Sequence, residues 1–220
     1  MLISHLSRFI YLKTIKTAGT SVEIYFEPYC VDPKLGAGGD IRAAQVSEWG
    51  IVGSRGFEDA TWYNHMPAAR VRELVGEEVW SGYFKFCVVR NPFDKVISQF
   101  WYYLSPPLRE ELRSADFGLV RETFLRWTED LLFPMDRRIY TIDGAPAVDF
   151  FIRYERLHQD MEAVCSRLAI PWQPARVERF KSGFRVRPEP FAEYYSAESA
   201  ARVRRKYAWE LEYFQYRLAG

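Results

Sequence analysis

Apolar positions along the chain fall into two kinds of pattern. Short continuous runs occur at Arg8–Leu12 (RFIYL), Phe84–Val89 (FKFCVV) and Val148–Arg153 (VDFFIR). Runs of this length suit strands buried on both faces of a parallel sheet. Elsewhere the apolar residues recur every three or four positions. In NPFDKVISQFWYYL, Phe93, Val96, Ile97, Phe100, Trp101 and Leu104 line one helical face, with Asn91 as N-cap and Pro92 in the first turn. Leu157, Met161, Val164 and Leu168 form a second stripe, and a last helix from about Ser196 turns Val203, Tyr207, Leu211 and Phe214 inward. A further helix begins at Pro67, buries Val71, Leu74 and Val75, and stops at Gly76. Strands alternating with helices predict right-handed βαβ units, hence a three-layer α/β/α arrangement around a central, mainly parallel sheet.

Residues 31–63 break this pattern. They are rich in glycine and polar residues and show little periodicity, which in a compact domain marks a binding loop or lid. With 220 residues, 48% hydrophobic and 27% charged, the chain is expected to form a single domain, 1–220, that carries this insertion. No apolar run approaches the roughly 20 residues of a spanning helix. A first strand near Arg8 leaves no room for a signal peptide. Cys30, Cys87 and Cys165 are far apart and lack metal-ligand spacing, so a reducing cytoplasm is the expected setting. A net charge of +1 argues against a nucleic-acid partner. Charge is uneven locally: Arg176, Arg179, Lys181, Arg185 and Arg187 face only Glu178, which fits either a solvated loop or an anion site.

The first strand runs into Lys16-Thr17-Ala18-Gly19-Thr20-Ser21 and then into a helix. Such a turn aims free backbone N–H groups and the positive end of a helix dipole at one point. Three hydroxyls and a mobile lysine add donors, and glycine permits close approach. The same stretch is also compatible with a helix cap beside a solvated lysine. It lacks the G-x-x-x-x-G-K-[ST] spacing of the common nucleotide loop. A second strand ends in Arg90, and Ser98 lies seven residues beyond Asn91 on the helix that follows, grouped by spacing with Asp94, Lys95 and Tyr102. Arg90 alone reads equally as a salt-bridge partner. His65 precedes the Pro67 helix, where the dipole disfavours imidazolium and leaves a neutral imidazole able to take a proton. Capping or packing is its other reading.

IKTAGTS followed by VVRNPFDKVISQF resembles the paired signatures of sulfotransferases that use 3'-phosphoadenosine 5'-phosphosulfate, nearest to the glycan sulfotransferases of the Golgi. FIRYERLHQDMEAVCSRLAI, RFKSGFRVRP and YYSAESAARVRRKYAWELEYFQY resemble further segments of that family, although Ile15 stands where most members have proline. The resemblance implies a P-loop NTPase-like sulfotransferase fold. It also implies a donor site in which Lys16, Thr17, Ala18, Gly19, Thr20 and Ser21 hold the 5'-phosphosulfate. Arg90 and Ser98, with Lys181 and Ser182, would bind the 3'-phosphate, and Tyr154 would contact adenine. Lys16 and His65 would be catalytic, with His65 as the base. No metal is implied. The acceptor would be a hydroxyl on a glycan or glycan precursor, met by Trp49, Trp62, Tyr63, Trp101 or Tyr102, in a cytosolic bacterial enzyme. The competing classes are a P-loop-type kinase or NTPase, disfavoured by the missing G-K-[ST] and by the lack of a magnesium-organising Asp after FKFCVV, and a non-catalytic nucleotide-binding protein of the same fold.

Overall fold

The structure, a computed structural model, describes residues 1–32, 42–56, 61–129, 133, 135–177 and 182–218. In chain order the elements are β1 (Leu2–Ser4), β2 (Phe9–Leu12), α1 (Gly19–Phe26), β3 (Gln45–Val46), β4 (Gly50–Val52), α2 (Ala68–Gly82), β5 (Phe84–Val89) and α3 (Pro92–Tyr103). There follow α4 (Pro106–Ser114), α5 (Phe117–Trp127), α6 (Arg137–Tyr140), β6 (Thr141–Ile142), β7 (Ala145–Pro146), β8 (Phe150–Arg153), α7 (Leu157–Arg167), α8 (Ala197–Lys206) and α9 (Ala208–Tyr213). They form two compact units, Met1–Val89 with Met135–Phe180, and Arg90–Pro134 with Lys181–Gly220.

The first unit is built on a six-stranded sheet in the order β3-β4-β1-β2-β5-β8, with β6 and β7 as a separate hairpin. The three strands expected from the apolar runs are present, and β2–β5 and β5–β8 pair in parallel. Along β2, Phe9 and Tyr11 point to one face and Ile10 and Leu12 to the other, and all four are fully buried. The sheet as a whole is not mainly parallel, however. Among the described residues β1–β2, β1–β4 and β3–β4 are antiparallel, three pairings against two. Four residues join β1 to β2 and three join β3 to β4, too few for the crossover that parallel pairing requires. Part of the stretch 31–63 is thus sheet: Gln45–Val46 and Gly50–Val52 extend the antiparallel side, whereas 33–41 and 57–60 lie outside the described residues. Phe9, Tyr11, Phe26, Phe86 and Val88 pack with Met161, Val164 and Cys165 of α7 into one core. The helix that begins after Pro67 leaves helical geometry at Gly76 (φ 76°, ψ 164°), as expected, and a second helical stretch follows directly, so that α2 runs to Gly82 across a kink.

In the second unit α3 starts as its sequence indicates. The Asn91 side chain accepts from Phe93 N at 3.1 Å and Pro92 occupies the first position. Its buried face meets an aromatic cluster in which Phe100 packs edge-on to Phe124 at 5.3 Å and the Tyr195 hydroxyl donates to Phe93 O at 2.8 Å. Ser196 and Ser199 form a reciprocal capping box that starts α8. The last helix is two helices, because Tyr207 ends α8 and begins α9 outside helical geometry.

Candidate functional site

Between β2 and α1 the chain is pinned at several points. Thr14 Oγ1 donates to the Val88 carbonyl of β5 and lies 2.7 Å from Thr17 Oγ1. The Ile15 amide donates to Asp136 Oδ2 at 3.2 Å, and the Tyr11 hydroxyl donates to Gly19 O at 3.2 Å. Within this frame Lys16 (φ 58°) and Ala18 (φ 62°) both adopt the left-handed conformation that side chains disfavour. A left-handed Ala18 followed by helical Gly19 is the backbone alternation that turns successive N–H groups to one side, forming an anion-binding concavity. Ala18 is the N-cap and supplies no side-chain hydrogen bond, so the first amides of α1 receive no cap from it. Gly19 lies in close approach: a Cβ there would stand 3.0 Å from Thr14 O and 3.1 Å from Lys13 Cγ, so these neighbours would have to give way. Thr17 and Ser21 are buried, and Lys16, Ala18 and Thr20 are half-buried.

His65 belongs to the same construction. It too is left-handed (φ 63°), and its Nδ1 lies 3.0 Å from the carbonyl of Lys13, at the start of the loop. A carbonyl only accepts, so Nδ1 carries the hydrogen and Nε2 keeps the lone pair. Burial, and then the charge of Lys13, push the imidazole pKa down to about 4, so the ring is neutral at physiological pH. This neutral ring was expected on the grounds of a nearby helix N-terminus; burial and Lys13 account for it here.

Behind the loop lies a group of charges that the sequence reading passed over. Glu23, on α1 and fully buried, holds Lys13 Nζ at 2.5 Å, Arg55 Nη2 at 2.6 Å, the Met1 amino group at 3.2 Å and Arg42 Nη2 at 3.5 Å. Arg42 also pairs with Glu27. Burial alone raises the Glu23 pKa, but the cations outweigh it and hold the carboxyl well below its ordinary range. In sequence Glu23 is one acid among the apolar residues Val22, Ile24, Tyr25 and Phe26, and nothing local names partners 10 to 32 residues away.

Arg90 and Ser98 belong to the second unit. Arg90 donates Nε and Nη2 to Asp94 Oδ2 at 2.8 and 2.7 Å, and Arg185 Nη1 meets Asp94 Oδ1 at 3.1 Å. Positions 90, 94 and 98 follow one another at four-residue spacing, so half-buried Ser98 shares the Asp94 face of α3. Lys95 does not join them, since it is buried with its Nζ 5.7 Å from the Tyr207 ring centroid. Ser182 opens a short 3-10 turn, Ser182–Phe184, and Lys181 lies outside the described residues. Of the basic stretch, Arg176, Arg185 and Arg187 are tied to neighbouring groups, and Arg179 lies outside the described residues. Arg187 pairs with Glu189 and donates to the carbonyls of Leu112, Arg113 and Ala115, and Arg176 sits over the Tyr25 ring at 5.1 Å. Tyr154 packs against the core of the first unit. Of the aromatic surface candidates, Trp101 is fully buried, Trp49, Trp62 and Tyr102 are half-buried, and Tyr63 is exposed.

No model of a known protein family matches the chain, and no solved structure matches it. Over 112 residues it is 33% identical to a protein of Archaeoglobus fulgidus described as uncharacterized, a stretch that is 48% of this chain and 84% of that protein. The chain belongs to the family of that archaeal protein. Among the described residues no helix is long and apolar enough to cross a membrane.

Proposed function

We propose that this protein transfers a sulfuryl group from 3'-phosphoadenosine 5'-phosphosulfate to an acceptor hydroxyl, on a domain of P-loop-like sulfotransferase fold. The observation that carries the reading is the left-handed turn Lys16–Ala18 at the start of α1, joined through the Lys13 carbonyl to a neutral imidazole. The donor set fits the group, because first-turn amides without a side-chain cap from Ala18, a closely packed glycine and a lysine suit a phosphosulfate. In the reaction the acceptor oxygen attacks sulfur and its proton passes to Nε2 of His65. The bond from sulfur to the bridging phosphate oxygen breaks, and adenosine 3',5'-bisphosphate leaves. Lys16 and the amides of Ala18 to Ser21 stabilise charge on the departing phosphate, as preorganised donors do in related displacements. Arg90 and Ser98 take the 3'-phosphate. Arg90 and Arg185 both pair with Asp94, which sets two guanidinium groups side by side there. Following the resemblance, the acceptor class we infer is a glycan hydroxyl.

Thermal unfolding in the presence of nucleotides tests this. Adenosine 3',5'-bisphosphate at 100 times its dissociation constant adds about 2.7 kcal/mol, a rise in Tm of roughly 5 to 10 °C for a chain of this size. AMP should do far less, and Arg90→Ala should abolish the difference between the two. Stabilisation by ATP with magnesium in preference to the bisphosphate, or by no nucleotide, would overturn the reading.

A further inference from the structure

The second unit contains a cleft of about 630 Å³ lined by Phe93, Arg204, Leu211, Tyr216, Arg217 and Leu218. Its size falls within the range of small-molecule sites, and its wall is apolar apart from two guanidinium groups. The cleft is built by defined contacts. A left-handed Gln215 (φ 57°) turns the chain after α9, and the Tyr216 amide donates to Leu211 O at 3.0 Å. Asn91 Nδ2 donates to the carbonyl of Arg217 at 2.8 Å, fixing the returning segment to the cap of α3. Arg204 sits with its guanidinium carbon 5.8 Å from the Phe93 ring centroid, over the apolar wall.

Two exposed arginines, Arg204 and Arg217, stand at the cleft. Arg90, Arg185, Arg187 and Arg202 each pair with a carboxylate. Among the described residues none pairs with Arg204 or Arg217, which leaves two guanidinium groups beside an apolar surface. Arg side chains in that setting recognise a planar acid group through paired hydrogen bonds while the wall takes an apolar body.

We propose that this cleft is a binding site for a small organic anion with an apolar body, its acid group held by Arg204 and Arg217 and its body against Phe93, Leu211, Tyr216 and Leu218. The donor loop of the first unit plays no part in this site.

Calorimetric titration of the full chain tests it, with octanoate and 2-naphthoate as probes and 1-octanol, 2-naphthylmethanol and inorganic sulfate as controls. The expected result is saturable binding of at least one carboxylate, weaker by about tenfold or more for the matching alcohol and for the variant Arg204→Ala/Arg217→Ala, as loss of charge-assisted hydrogen bonds requires. Both arginines are exposed, so the double variant should keep its fold, which circular dichroism checks. Tighter octanoate identifies an acyl body and tighter 2-naphthoate an aryl one. The site is refuted if neither carboxylate saturates, if an alcohol or sulfate binds as tightly, or if the folded double variant binds unchanged.

Discussion

Lys16, Ala18 and His65 each hold a left-handed backbone angle without being glycine, and such strain persists only where the surroundings enforce it. Here the enforcement is the hydrogen bonding of Thr14, Tyr11 and the Lys13 carbonyl, all at the turn from β2 into α1. Removing the lysine charge keeps that turn but loses the group assigned to the leaving phosphate. Lys16→Ala is therefore expected to lower turnover by roughly 100-fold or more, read as bisphosphate release with an active acceptor. His65→Ala should lower turnover while bisphosphate affinity stays within about twofold, because the base is needed for the proton and not for the donor. A variant that loses donor binding and turnover together would instead make His65 a support for the loop. The passage from strand through a glycine- and hydroxyl-rich turn into a helix was legible from sequence, although the same residue types also suit a helix cap beside a solvated lysine. The Glu23 group was not, because it depends on Lys13, Arg42 and Arg55 meeting only after folding. Glu23→Gln strands several buried cations, and urea unfolding should show a loss of about 3 to 5 kcal/mol. A loss below about 1 kcal/mol would show that those cations find water or other partners.

Three of the six sheet strands were readable in advance because β2, β5 and the strand ending at Arg153 are continuous apolar runs. The helix of Asn91 was readable because its cap, its proline and its apolar stripe agree. The antiparallel side was not, since β1, β3 and β4 are two or three residues long and too short to display a period. What fixes them is backbone proximity rather than pattern. Gly50 marks the place: a Cβ there would stand 2.1 Å from the Ile3 carbonyl oxygen, across the pairing of β1 with β4. Gly50→Ala should thus separate these strands and lower stability by roughly 2 kcal/mol or more. Hydrogen exchange is the measurement that localises the effect, with protection lost at Leu2–Ser4 and retained at Phe84–Val89. Uniform loss across both strands would mean that the antiparallel side does not open separately. Glycine marked the helix break at Gly76, where the backbone takes a positive φ, whereas apolar spacing suggested a continuation through Tyr207 that the backbone does not make.

At the scale of the whole molecule, a formal net charge of +1 at pH 7 gives little general repulsion above the range in which carboxylates protonate, so there individual shifted groups govern the response to pH. His65 is one such group. Its pKa in the folded protein is about 4 against an ordinary 6.5, with burial as the main cause and Lys13 as the second. Between these values the unfolded chain binds the proton and the folded one does not, so stability must rise with pH across that interval and fall as acid is added. Glu23 has the same sign but acts lower: its depressed pKa stabilises the fold above the ordinary carboxylate range and that contribution is lost below it. In the window from pH 7 to pH 5 the His65 shift is worth roughly 2 kcal/mol, and the buried Met1 amino group, whose pKa burial lowers to about 6, adds a smaller loss of the same sign. Urea unfolding at pH 7 and at pH 5 should show the combined difference in the wild type and a difference smaller by roughly 2 kcal/mol in His65→Gln, which cannot take the proton and keeps only the Met1 contribution. The same shift moves the acid limb of turnover toward pH 4 rather than the 6 to 7 of an ordinary histidine, provided the ring is the base. A wild type equally stable at both pH values would mean that His65 charges freely in the fold, and the tautomer inferred from the Lys13 carbonyl would then lose its support.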